Sequence, residues 1–230
     1  MKKLANFRTI LLDVDGTLFD FEASERNALS ETFKKYGYVL TEEIRNIYER
    51  INKDLWKQFE QGKIDRNTVI YSRFGKLFKE IGIDDDGIAF EDDYQRILGM
   101  QHHLLEDALE VVQYLNTKYD LYIVTNGVTA TQMQRLKDST LDRYVKDIFV
   151  SEATGFQKPM KEYFDYCFDR IGDIDKSRTM IIGDSLSSDI KGGNNAGITT
   201  CWYNPKGLKN NTDAVVDIEI RALRELYQIL

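Results

Sequence analysis

Two aspartates one residue apart, Asp13 and Asp15, follow the apolar run Ile10-Leu-Leu12 and precede Gly16-Thr17. Side chains alternate along an extended chain, so both carboxyls face one way and Val14 faces the other. Gly16 lets the backbone turn away close to a bound group. Two acids so placed can divide a hard displacement between them. One attacks and forms a covalent intermediate, while the other protonates the leaving alcohol and then takes a proton from water. Two bare carboxylates repel each other and any anionic substrate, so cations must be present. A Mg²⁺ held by a few carboxylates and waters fits, and Asp184, after Ile181-Ile-Gly183, supplies a further ligand. Lys158 is the second cation. Pro159 biases it away from helical geometry and suits the first turn of a helix that follows.

Short apolar runs without alternation read as buried parallel strands at 9–12, 121–124, 148–150, 180–182, 199–203 and 214–216. Helical patterns over about 105–118, 129–138, 160–171 and 188–196 separate most of them. This alternation predicts an α/β fold: a Rossmann-like, doubly wound parallel sheet with helices on both faces. Three strands end in polar groups, Asp13-Val-Asp15, Thr125-Asn-Gly127 and Gly183-Asp-Ser185. Ligands of such sheets bind beyond the carboxyl ends of the strands. Residues 21–98 differ, with four amphipathic helical patterns and no strand. Ile44, Ile47, Tyr48, Ile51 and Leu55 make one buried stripe; Ile70, Phe74, Leu77, Phe78 and Ile81 make another. The chain therefore reads as a core of residues 1–20 and 99–230, interrupted by a helical bundle at 21–98.

Composition narrows the chemistry. The 230 residues carry 31 Lys+Arg against 38 Asp+Glu, a net charge of −7. That balance argues against a polymeric nucleic acid as partner. No apolar run reaches the ~18 residues of a membrane span, and the basic start lacks the apolar region of a signal peptide. Cys167 and Cys201 form no metal-spaced cluster and read as buried thiols, which suits a cytoplasmic home. With His102 and His103 the only histidines, a three-histidine zinc site is impossible. The acids at Asp84-Asp-Asp-Gly87 do not fit a calcium loop.

The segments Asp13-Val-Asp-Gly-Thr-Leu18, Thr125-Asn126, Lys158-Pro159 and Gly183-Asp-Ser-Leu-Ser-Ser-Asp189 resemble, in this order, the four motifs of the haloacid dehalogenase superfamily. The resemblance spans essentially the whole chain, and the helical insert matches that superfamily's cap domain. It implies Asp13 as nucleophile and Asp15 as acid/base, with Thr125, Asn126 and Lys158 on the phosphoryl group. It further implies Mg²⁺ bound by Asp13, the Asp15 main-chain carbonyl and Asp184. Asp189 would take a metal-shell or lysine-orienting role. An acid at Asp15 favours phosphate-ester hydrolysis, because a halide leaves unprotonated.

Val124-Thr-Asn-Gly127, Leu55-Trp-Lys-Gln-Phe-Glu-Gln-Gly-Lys-Ile64 and Gly197-Ile-Thr-Thr-Cys-Trp-Tyr-Asn204 are similar to the bacterial pyrimidine 5′-nucleotidases. That likeness implies a small phosphorylated substrate, a nucleoside monophosphate. A sugar-phosphate phosphatase or mutase, or a non-catalytic binding protein on the same fold, are the alternatives. Selectivity is expected on the cap, with Phe19, Phe21, Trp56, Lys57, Lys63 and Arg73 as candidates to stack on or hydrogen-bond a base. Oligomeric state is not legible in the sequence.

Overall fold

A computed structural model describes residues 6–230; the basic start at Lys2 and Lys3 lies outside them. Six strands form one parallel sheet: β1 (Thr9–Leu12), β2 (Asp120–Thr125), β3 (Asp147–Val150), β4 (Thr179–Gly183), β5 (Thr199–Tyr203) and β6 (Ile218–Ile220). Their spatial order is β3-β2-β1-β4-β5-β6. The chain winds outward from β1 to β3, then returns to lay β4 on the other side of β1. The topological switch point therefore lies at β1 and β4, where Leu12 pairs with Ile123 on one side and Ile182 on the other. Crevices for ligands open at such points.

Strand periodicity divides the core into two layers. Ile10, Leu12, Leu121, Ile123, Met180 and Ile182 pack on one face with α5 (Ala108–Asn116) and Leu136 of α6 (Thr129–Asp138). Leu11, Tyr122, Val124 and Ile181 pack on the other with Tyr163, Phe164, Cys167 and Phe168 of α8 (Lys161–Ile171). Each such burial contributes roughly 1.5–3 kcal/mol against exposure.

One expected strand is displaced. Ala214-Val-Val216 is not a strand; β6 begins at Ile218 and pairs with Cys201–Tyr203. Ala214 instead packs with Ile190 and Trp202, and Val215 is 62% exposed. The carbonyl of Val215 accepts from Asn194 Nδ2 and Thr200 Oγ1. The helix expected over 188–196 is also split. It starts as a π-helical turn, Leu186–Ile190, and continues as the short helix Lys191–Ala196.

The chain divides into two compact units, one comprising the chain up to Glu22 with His102–Leu230, the other Ala23–Gln101. The second consists of the rest of α1 (Phe21–Lys35) with α2 (Glu42–Glu60), α3 (Arg66–Ile81) and α4 (Ile88–Gly99). Thr41 caps α2 by accepting from Ile44 N at 3.2 Å, and Asp65 caps α3 by accepting from Thr68 N at 2.7 Å. Gly82, at φ +77°, ends α3 in the left-handed conformation that favours glycine. Tyr48, Ile51, Leu55 and Phe59 of α2 and Ile70, Phe74, Leu77 and Phe78 of α3 are buried, while Ile44, Ile47 and Ile81 at the stripe ends are half-buried. Among the described residues, no helix is long and apolar enough to cross a membrane.

Candidate active site

At the carboxyl end of β1 the chain continues far enough for Asp13 N to donate to Ile182 O at 2.9 Å, which fixes Asp13 beside the end of β4. Its carboxylate takes two different donors: Lys158 Nζ to Oδ1 at 2.6 Å and Thr17 Oγ1 to Oδ2 at 3.0 Å. Gly16, at φ +84°, turns the backbone next to Asp184. A Cβ there would lie 2.5 Å from Asp184 Oδ2, so only glycine permits the approach.

Lys158 is 1% exposed, and its ammonium meets three oxygens. Nζ donates to Asp13 Oδ1 and Asp189 Oδ1, both at 2.6 Å, and to Val124 O at 2.8 Å. Asn126 aims it: Oδ1 accepts from Lys158 N and Nδ2 donates to Lys158 O, each at 2.9 Å. Both ends of the Asn126 carboxamide thus bond the Lys158 main chain. Asp189 reaches the lysine from the π-helical turn, with Oδ2 accepting from Ser185 N at 3.0 Å. Gly183 makes room, since a Cβ there would lie 2.3 Å from Asp189 Cγ.

One carboxylate oxygen from each of Asp13, Asp184 and Asp189 lies within 4.8 Å of the others. With Lys158 the four groups sum to −2 when ionised. Low dielectric makes that imbalance costly. Burial, followed by the charge of Asp189, lifts Asp13 to about 7 against the pull of Lys158. Burial, then Asp13 and Asp189, raises Asp184 well above the usual carboxylate range. Burial alone would lower Lys158, yet Asp13 and Asp189 outweigh it and hold the ammonium above the ordinary lysine range. Hard oxygen donors with a surplus of two negative charges suit a small divalent cation.

Asp15, one pleat on, turns to α6. Arg135 Nη1 donates to Oδ1 at 2.5 Å and Gln132 Nε2 donates to Oδ2 at 2.8 Å. Thr125, the buried last residue of β2, accepts from the same Nε2 at 2.8 Å.

The candidates for selectivity separate. Phe19 is fully buried in the core, its ring 4.5 Å from the Arg135 guanidinium, and Phe21 lies 5.8 Å from the same group. Both distances are within reach of a cation–π contact. Arg73 is likewise turned inward. It is 2% exposed and pairs at two points with Glu91, at 2.7 and 2.6 Å. Its third contact is Asn52 Oδ1 at 3.0 Å. Lys57 and Lys63 are exposed, and Trp56 is half-buried, edge-on to Phe59.

Sequence reasoning missed Thr17, Gln132 and Arg135. The signal was present as the i, i+3 pair Gln132 and Arg135 one turn beyond Thr125-Asn-Gly127, but on an isolated helix such residues read as a solvated face.

Comparison with known proteins agrees with this geometry. Residues 7–197 match the haloacid dehalogenase-like hydrolase family. The HAD-hydrolase YfnB of Bacillus subtilis is 48% identical over 99% of this chain and 97% of its own. Its crystal structure, solved bound to magnesium and described as revealing interdomain movement, superposes with a TM-score of 0.93 over 98% of this chain and 99% of that one. The pyrimidine 5′-nucleotidase PynA of Streptococcus pneumoniae is 38% identical over 97% of this chain and 95% of its own. The pyrimidine 5′-nucleotidase YjjG of Escherichia coli is 30% identical over 96% of each chain. With the family matched across most of its length, the chain is a hydrolase and belongs to the haloacid dehalogenase-like hydrolases.

Proposed function

We propose that the chain is a Mg²⁺-dependent phosphomonoesterase that works through an aspartyl-phosphate and acts on pyrimidine nucleoside 5′-monophosphates. The observation that carries the reading is the unbalanced cluster of Asp13, Asp184 and Asp189 around Lys158, in which Asp13, Asp189 and Lys158 are buried and Asp184 is partly open to solvent. A structural ion pair tends to balance, whereas a surplus of negative charge beside a lysine suits a site that receives a cation and a phosphate together. Asp13, Asp184 and the main-chain carbonyl of Asp15 would hold Mg²⁺, which when bound neutralises charge on the phosphoryl oxygens.

In this reading Asp13 attacks phosphorus and the bond to the ester oxygen breaks, while Asp15 passes its proton to the departing alkoxide. Water then attacks the aspartyl-phosphate and gives its proton to Asp15. The P–O bond to Asp13 breaks, releasing inorganic phosphate and restoring both carboxyls to their starting states. Lys158 and the Thr125 hydroxyl hold phosphoryl oxygens throughout. Asp189 keeps the ammonium aimed, and Thr17 steadies the nucleophile.

The pyrimidine assignment follows the two nucleotidases that match this chain nearly end to end. Selectivity would be carried by the helical unit as a cap, with Trp56, Lys57 and Lys63 as candidates to contact a base. Phosphate release from UMP, dTMP, AMP and sugar phosphates, each with Mg²⁺ or with chelator, tests the assignment. Metal-dependent turnover with UMP or dTMP preferred is expected; faster turnover of sugar phosphates would reject the nucleotidase.

A further inference from the structure

Asp15, Gln132 and Arg135 close a ring of hydrogen bonds, and Thr125 joins it through Gln132. Arg135 Nη1 donates to Asp15 Oδ1 at 2.5 Å and to Gln132 Oε1 at 2.9 Å. Gln132 Nε2 donates to Asp15 Oδ2 and to Thr125 Oγ1, both at 2.8 Å. An amide nitrogen and an Nη1 each carry two hydrogens, so these four bonds use all four. Since Gln132 Oε1 must be the atom facing Arg135, the network fixes the orientation of the amide. Thr125 accepts from Gln132, which leaves its own hydrogen to be donated elsewhere.

The ring is built into the core. Arg135 is fully buried beneath Phe19 and Phe21, and Gln132 is 2% exposed. A Cβ on Gly127 would sit 2.9 Å from Gln132 Cγ, so the glycine after Thr125-Asn126 clears the space Gln132 fills. Burying a guanidinium is costly unless its partners are well placed. Here the charged partner is Asp15, itself 26% exposed.

We propose that Gln132 and Arg135 are positioning residues that together set the Asp15 carboxyl for proton transfer. This deepens the reading above and rests on Asp15 being its acid/base. The consequence is selective by leaving group. A nucleoside 5′-alkoxide must receive the Asp15 proton as its bond to phosphorus breaks, whereas 4-nitrophenolate leaves as a stable anion. Loosening the ring should therefore slow cleavage of UMP and spare the first cleavage of 4-nitrophenyl phosphate. The second step still needs Asp15 as base, so the aspartyl-phosphate should accumulate.

The test is a single-turnover comparison of UMP and 4-nitrophenyl phosphate with Mg²⁺, for the wild type, Arg135→Lys and Gln132→Met. First-turnover cleavage of UMP is expected to fall about 100-fold in Arg135→Lys and about 10-fold in Gln132→Met, within the range that a positioned acid contributes. First release of 4-nitrophenolate should change less than about threefold and precede a slow steady state, because only the later step needs the base. Equal loss on both substrates in a folded variant would overturn the proposal and leave Gln132 and Arg135 as structural. Gln132→Met, close in size, carries the test if Arg135→Lys does not fold. A wild type inactive on both substrates, or Asp13→Asn as active as wild type, would instead reject the underlying mechanism, and the proposal with it.

Discussion

Each unit of the molecule buries a cluster of charges, and the two clusters are built on opposite principles. In the helical unit Arg73 and Glu91 cancel. The guanidinium meets the carboxylate at two points, turns a third nitrogen to Asn52, and lies 4.7 Å from the Tyr94 ring. In the α/β unit Lys158 faces Asp13 and Asp189, with Asp184 alongside, and a charge of −2 is left over. The first cluster satisfies itself and holds helices together. The second keeps a surplus that, under the proposed function, a bound cation would balance. Sign and balance, rather than burial alone, distinguish a structural ion pair from a reactive site.

The contrast can be broken experimentally from both ends. Lys158→Met removes the lysine that bonds both Asp13 and Asp189, so kcat should fall by about 10³-fold or more, as when a principal charge-stabilising donor is lost. Steady-state phosphate release from UMP measures it; a loss below tenfold would deny Lys158 its role. Arg73→Met should instead cost stability, about 3–5 kcal/mol, because Glu91 is left buried and unpaired. Arg73→Met combined with Glu91→Leu should recover most of that in urea denaturation. Should the double variant be as unstable as the single, the pair would have a role beyond mutual neutralisation.

The acidic surplus has a pH signature of definite sign. Asp13 is lifted from 3.8 to about 7 in the folded chain by burial and then by Asp189. The unfolded chain therefore releases this proton first, and the contribution to stability present below about pH 4 is lost as pH rises through 7. Thermal melts in chelator should show that decline, superimposed on the chain's other titrations. Mg²⁺ should abolish it, adding about 2.7 kcal/mol at a hundred times its Kd. Asp184→Asn should lose most of the Mg²⁺ effect; an unchanged effect would place the ion elsewhere.

A smaller shift of opposite sign belongs to the helical unit. Hydrogen bonds from Lys35 and Arg96 hold Asp93 down at about 2, against 3.8 unfolded. Its contribution is present above about pH 4 and lost as pH falls toward 2. Since Asp93 is partly exposed, Asp93→Asn should cost under about 1 kcal/mol at neutral pH. Melts of the variant and parent at pH 7 and pH 3 should converge at the lower value.

Much of the α/β unit was legible because its signals are contiguous. Ile10-Leu-Leu12 and Ile181-Ile182 are fully buried strands that read as apolar runs, and the acids follow within a few residues. Ile218-Glu219-Ile220 escaped notice since an edge strand with one exposed face alternates, while the apolar Ala214-Val-Val216 drew the assignment. Gln132, Arg135 and Arg73 were hidden for a different reason. Each is a polar residue on an amphipathic helix, and what buries it is a partner distant in sequence: Asp15 for the first two, Glu91 for the third. Periodicity registers apolar faces and is blind to a charge that is buried because it is paired.

The central claim is that Asp13 receives the phosphoryl group. Acid quench of a single turnover with UMP carrying ³²P in its phosphate, in the presence of Mg²⁺, tests it directly. Label should appear on the protein, be released by hydroxylamine as expected of an acyl phosphate, and map to the peptide containing Asp13. It should be absent from Asp13→Asn. Label on another residue, or wild-type turnover by folded Asp13→Asn, would contradict the account.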